Sequence, residues 1–300
     1  MAGTLHPNDL VDPAFFSRLD DIELRAQAVV EGFLHGLHRS PFVGFSVEFN
    51  SHREYVPGDD LRHVNWKLYA RQQRLYVKEY DAETNMNVYI MLDISQSMEC
   101  ANTGQSKFQY GAALAAAIAH LALKQHDAVG ITLFSDRVVS HLRPSAKPHQ
   151  LQEILHVITS TPERSQSDVG RAFHQAAELA PHRGMIVLIS DLFDDVSTIM
   201  EGIEHLQFKN HEVVLFHVLD RWERDLPLDG NVRFTDMETG EEITAQADGI
   251  REQYLQHVND WLSELAQGCL NRGVQRVELT TDEPLDKALL DYFVKRAKAQ

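Results

Sequence analysis

Two cysteines in 300 residues, Cys100 and Cys269, lie far apart and in no metal-ligand spacing, so neither a disulfide framework nor a thiolate metal cluster is expected, only reduced and partly buried thiols. No apolar run approaches bilayer length, and the opening MAGTLHPNDLVDPAFF lacks the basic-then-apolar layout of a secretory signal. A cytoplasmic protein without direct membrane insertion is therefore expected. Basic residues are in deficit: 28 Lys and Arg face 44 Asp and Glu, a formal charge of −16, which argues against nucleic acid as the main partner because phosphate binding needs a basic footprint. Several catalytic signatures are missing as well. There is no His-Glu-x-x-His pair, no Gly-x-Ser-x-Gly elbow and no phosphate loop of the Gly-Lys-Ser type.

What remains is ordinary globular material, 43% hydrophobic and 24% charged, enough for one large domain or two smaller ones. From Met86 onward apolar strands alternate with helical stretches. The patterning predicts strands at Asn87 to Leu92, Ala128 to Phe134, Met185 to Ser190, Val213 to Leu219 and Val274 to Leu279. Helices are expected near Phe108 to Gln125, Gln150 to Ile158, Val169 to Ala180, Val196 to Phe208, Ile250 to Asn271 and Leu285 to Lys298. Such alternation predicts an α/β fold with a mainly parallel sheet covered on both faces. VVSHL after Arg137 adds a short antiparallel strand, and the insertion near 225–247, with a turn at Thr239 and Gly240, reads as a hairpin. Residues 1–85 form a separate N-terminal region: an amphipathic helix within Asp12 to His38, a turn at Pro57 and Gly58, a short helix from Arg62 to Ala70 and an alternating stretch, RLYVKEYD. The second unit is 86–300.

The chemistry concentrates in NVYIMLDISQSMEC, Asn87 to Cys100. A strand buried on both faces runs directly into Asp93, with Ser95 and Ser97 at alternate positions after it. In open α/β sheets the carboxyl ends of the strands are where ligands bind. A carboxylate and two hydroxyls suit a hard divalent cation, magnesium or else manganese or calcium. GMIVLISDLFDD repeats the pattern with Asp191 directly after a buried strand, and SQSDVGRAF supplies Ser167 and Asp168 at a helix start. Each piece alone reads as a cap or a turn residue. Together, in an alternating α/β chain, they point to a metal site.

DISQSM, TPERSQSDVGRAF and VLISDLFDD resemble the metal-ion-dependent adhesion site (MIDAS) of von Willebrand factor type A domains. EFNSHREYVPGDDLRHVNWKLYARQQRLYVKEYDAETN resembles the signature of the bacterial domain of unknown function 58 family, whose members carry such a domain. The resemblance implies a von Willebrand factor type A-like, Rossmann-like domain behind an N-terminal helical and extended region. It implies the metal ligands Asp93, Ser95, Ser97, Ser167 and Asp191, with serine at 167 where threonine is usual. It further implies a protein-protein interaction module rather than an enzyme, the open metal position being filled by a partner's carboxylate. A MoxR-type AAA+ ATPase and an unidentified client are the implied partners.

Two other readings stand beside this one. The same magnesium could serve a phosphoester hydrolase, with Asp191, Asp194 or Asp168 orienting a water. A metal site that only stabilises the fold is the third. The stretch from Ser51 to Tyr80 carries Arg53, Arg62, Lys67, Arg71, Arg74 and Lys78 against four acidic residues, a net of +2 in a chain of −16. It reads either as a solvated face with local ion pairs or as an interaction surface for an acidic element.

Overall fold

The computed structural model describes residues 86–102, 104–160, 169–235, 241–289 and 292, together with the backbone of two three-residue strands. Those strands, β1 (His52–Glu54) and β2 (Tyr76–Lys78), pair antiparallel with Arg53 opposite Val77. The expected N-terminal helix, the turn at Pro57 and the short helix after it lie outside the described residues.

The body follows the expected alternation. Strand β3 (Asn87–Asp93) leads through a 3-10 turn (Gln96–Glu99) to helix α1 (Lys107–Lys124) and strand β4 (Ala128–Phe134). Strand β5 (Val138–Ser145) then returns antiparallel along β4. It is longer than the VVSHL reading and includes Pro144, which an edge strand accommodates because its outer N–H groups face no neighbour. After α2 (Gln150–Thr159) and α3 (Val169–Leu179) come β6 (Gly184–Ser190), α4 (Val196–Gln207) and β7 (Glu212–Leu219). A five-residue helix, α5 (Arg221–Asp225), precedes the hairpin of β8 (Asn231–Thr235) and β9 (Glu242–Gln246). The long α6 (Ala247–Asn271) and the last strand, β10 (Gln275–Thr280), follow. The 3-10 turn and α5 are too short to show a periodic pattern. The tip of the hairpin and most of the final helix lie outside the described residues.

The sheet order is β10-β7-β6-β3-β4-β5, parallel throughout except for β5. In the order of the strands along the chain this is the doubly wound arrangement, with the winding reversing between its two central strands, β3 and β6. Both faces are covered. Val88, Ile90 and Leu92 pack with Leu114, Ile118 and Phe216 in one core, while Tyr89 and Met91 pack with Phe173, Ile199 and Leu265 in the other. The apolar runs of β3, β6 and β7, the last interrupted only by the buried His217, follow from this two-sided burial.

Two glycines bring the central strands and their helix close together. Gly184 opens β6 opposite Asn87, where a Cβ would stand 2.2 Å from the Asn87 carbonyl oxygen. Gly184→Ala is therefore expected to cost about 3 kcal/mol, seen as a lower urea midpoint with an unchanged slope. Gly111 in α1 faces Leu92 and Ile189, whose methyls would lie 3.1 Å from an added Cβ. This near contact seats α1 over the junction of β3 and β6, and Lys107, one turn earlier on the same helix face, comes to the strand ends.

Candidate metal centre

Asp93 ends β3, and its neighbour across the reversal point is the end of β6. The register pairs Leu92 with Ile189, so Ser190 falls beside Asp93 and Asp191 lies one residue beyond. Asp93 and Asp191 are each 1% exposed, which puts two carboxylates in a dry site. Asp93 Oδ1 accepts from the Ser95 amide at 2.8 Å, and Oδ2 accepts from the Ser190 hydroxyl at 2.5 Å. Ser190 Oγ in turn accepts from the Leu192 amide at 2.9 Å, which closes the β6 loop back on itself. Leu192 is fully buried with φ at +50°, a left-handed backbone that non-glycine residues rarely adopt and that is held here directly beside Asp191.

The two loop serines point to the same place. Ser95 Oγ and Ser97 Oγ are 3.0 Å apart. Two adjacent oxygens of an octahedron built at the usual magnesium distance are also about 3 Å apart, so this pair fits neighbouring positions on one small hard cation. The electrostatics agree: burial first, and then repulsion from Asp191, push the Asp93 carboxyl up to about 7. The site is short of positive charge in the form a divalent ion would correct. Asp93, Ser95, Ser97 and Asp191 thus fit such an ion, whereas Ser167 lies outside the described residues. No group of three His, Cys, Asp or Glu residues forms a metal cluster among the described residues, so any ion here depends on hydroxyl ligands.

Four residues that the sequence reading did not single out complete the surroundings. Lys107, with no exposed side-chain surface, donates from Nζ to Asp191 Oδ2 at 2.7 Å and to Glu223 Oε1 at 2.6 Å. Burial opposes its charge, but the two carboxylates outweigh that and raise its pKa above the usual lysine value. Glu223 Oε2 also accepts from the Asp220 amide at 2.9 Å, in the capping box of α5. His217 lies fully buried beneath Asp191. Its Nε2 donates to the Asp191 carbonyl oxygen at 2.8 Å while its Nδ1 accepts from Arg276 at 2.9 Å, so the ring is neutral. Burial, reinforced by Arg276, lowers its pKa to about 3. Ser190 is the fourth.

The loop after β3 is tied to the neighbouring strands. Asn102 donates its amide to Asp220 Oδ2 at 3.1 Å, and Gln105 donates to the Thr281 carbonyl at 2.8 Å. Beside the site, a cavity of about 530 Å³ opens between the β6 loop, α5 and α6, lined by Phe193, Glu223, Arg224, Tyr254, His257 and Trp261. Phe193, 46% exposed, stacks on Trp261 with ring centroids 5.8 Å apart. The thiols match their expected state: Cys100 is free and half-buried, and Cys269 is free and buried. The six basic side chains between Arg53 and Lys78 lie outside the described side chains.

Residues 51–261 match the family described as protein of unknown function DUF58. The chain belongs to this family. Relatives of this DUF58 chain include the uncharacterized protein Rv1480 of Mycobacterium tuberculosis and the uncharacterized protein Mb1516 of Mycobacterium bovis. Each is 25% identical over 278 residues, covering 91% of this chain and 87% of the relative. Among solved structures, the conserved hypothetical protein BatB from Bacteroides thetaiotaomicron overlaps 72% of this chain and 100% of its own, at 19% identity and a TM-score of 0.46. The SpRpn10 VWA domain overlaps 69% of this chain and 94% of its own, at 12% identity and a TM-score of 0.39. The α/β, Rossmann-like architecture expected of a von Willebrand factor type A-like domain is carried by the chain's own strand order. No helix among the described residues is long and apolar enough to cross a membrane.

Proposed function

We propose that this DUF58 protein is a metal-dependent adaptor that captures a partner protein through a carboxylate, working with a MoxR-type AAA+ ATPase on a client. The observation that carries the reading is the convergence of Asp93, the Ser95 and Ser97 hydroxyls and Asp191 at the reversal point of the sheet. A bound magnesium, or manganese or calcium, would offer a coordination position to an incoming carboxylate. The chain's own part is to hold the ligands. Ser190 and the Ser95 amide fix Asp93, His217 fixes the backbone at Asp191, and Lys107 fixes its carboxylate.

The hydrolase reading has less support. A general base near the ligands is needed to take a proton from water; His217, the buried imidazole of this site, has both ring nitrogens engaged, which leaves that role to a carboxylate such as Asp194. Purified protein and the ATPase are expected to associate in magnesium and to separate in chelator, and Asp93→Ala is expected to abolish association in both conditions. Equal binding by wild type and Asp93→Ala would move recognition elsewhere, with the segment from Arg53 to Lys78 the next candidate. Magnesium-dependent release of phosphate from a generic ester, lost in Asp93→Ala, would instead promote the hydrolase.

A further inference from the structure

Among the described residues, Lys107 is a fully buried charge with two carboxylate partners. Its ammonium bridges Asp191 and Glu223 at 2.7 and 2.6 Å, and it also lies 4.7 Å from the centre of the Phe193 ring. Taking an ammonium out of water is costly. An apolar side chain in the first turn of α1 would fill the same space without that cost, so the charge itself calls for an explanation. The local balance supplies one. Asp93 and Asp191 bring two carboxylates to a dry region, Glu223 adds a third that is partly open to the adjoining cavity, and Lys107 is the cation that faces two of the three. Other titratable groups near the amine include the half-buried Cys100 and Tyr254 and the buried, neutral His217, all of which carry the electrostatic influence of Lys107.

We infer that Lys107 is the resident counter-cation of the metal centre, a positioning residue that holds Asp191 in place and sets how tightly a divalent ion is retained. The inference rests on the metal-dependent reading given above. In the absence of an ion, Lys107 keeps the Asp191 carboxylate from being driven away by Asp93. In the presence of one, its positive charge opposes the ion through the carboxylate they share. Glu223 acts in the opposite direction by neutralising part of the lysine's charge, and it links the centre to α5 and the adjoining cavity.

The charge argument predicts opposite signs for two substitutions, and a purely structural brace does not. Manganese affinity is measured from the electron paramagnetic resonance of the free ion at pH 8, for wild type, Asp93→Ala, Lys107→Met, Lys107→Arg and Glu223→Gln. Lys107→Met is expected to bind at least about tenfold more tightly than wild type, because a unit charge close to the ion is removed from a low-dielectric site. Glu223→Gln is expected to bind several-fold more weakly, and Lys107→Arg, which keeps the charge, to remain near wild type. In the metal-free state Lys107→Met melts below wild type, and manganese narrows the gap. If Lys107→Met does not fold, Lys107→Gln, which retains a hydrogen-bond donor, carries the same expected gain. Weaker or unchanged binding in the neutral Lys107 variant would overturn the inference while leaving Asp93-dependent binding intact. Manganese binding by wild type that matches Asp93→Ala would overturn both the inference and the metal-dependent reading beneath it.

Discussion

Asp93→Asn is expected to stabilise the metal-free protein at pH 8 by roughly 2–4 kcal/mol, because a carboxylate buried at 1% exposure beside Asp191 is replaced by a neutral group of the same shape. For a chain of this size that is a gain of roughly 5–10 °C in Tm. The amide oxygen still accepts from the Ser95 amide, and the amide nitrogen can donate to Ser190 Oγ, whose own hydroxyl hydrogen loses its Asp93 acceptor and offsets part of the gain. In magnesium the order reverses: wild type gains stability by binding the ion, and the variant does not. The pH dependence makes this result specific. The folded Asp93 carboxyl holds its proton to about pH 7 whereas the unfolded one releases it near pH 4, so its contribution is fully present below pH 4 and is lost as pH rises to about 7. His217 runs the other way. Its folded pKa of about 3 lies below the unfolded value, so its contribution is present above about pH 6.5 and is lost as pH falls toward 3. Between about pH 4 and 6.5 the two slopes oppose in wild type. Asp93→Asn removes one of them, and its stability should climb with pH across that window. Thermal melts at half-unit pH intervals in chelator would show the difference. A variant less stable than wild type at pH 8 without metal would contradict the electrostatic account of the site.

Magnesium affinity is expected to fall about tenfold for each pH unit below 7, about a hundredfold between pH 7 and pH 5, because the ion must displace the proton that Asp93 retains when folded. Calorimetric titrations in two buffers of different ionisation enthalpy check this directly. Close to one proton is released per ion at pH 6 and close to none at pH 8.5. An affinity that stays flat across the range would mean that Asp93 is not the group the ion meets, whatever its other role.

The ends of the parallel strands were legible in the sequence because both faces of the sheet are buried, which leaves continuous apolar runs such as Val88 to Leu92 and Met185 to Ile189 that stop where the carboxylates begin. Asp93, Ser95, Ser97 and Asp191 could be picked out for the same reason: each stands just beyond such a run. Their convergence is a property of the register that sets Leu92 against Ile189, and no local pattern carries it. Ser190 looked like the last residue of an apolar strand, although its hydroxyl bonds Asp93. Lys107 opens an alanine-rich helix, a place where a lysine ordinarily faces water. The close approach of Gly111 to Leu92 and Ile189 helps to set that first turn over the strand ends, where the amine is buried. Glu223 belongs to a five-residue helix too short for periodicity, and its partner is 116 positions away in sequence.

A calorimetric titration of wild type, Asp93→Ala and Ser97→Ala with magnesium at pH 8 tests the central claim most directly. The geometry at the end of β3 predicts a single site in wild type that is lost in Asp93→Ala, and one weakened about 10- to 100-fold in Ser97→Ala, where one of the two hydroxyls 3.0 Å apart is gone. The same stoichiometry and affinity in all three proteins would contradict it, and would leave the buried carboxylates as a structural pair held by Lys107.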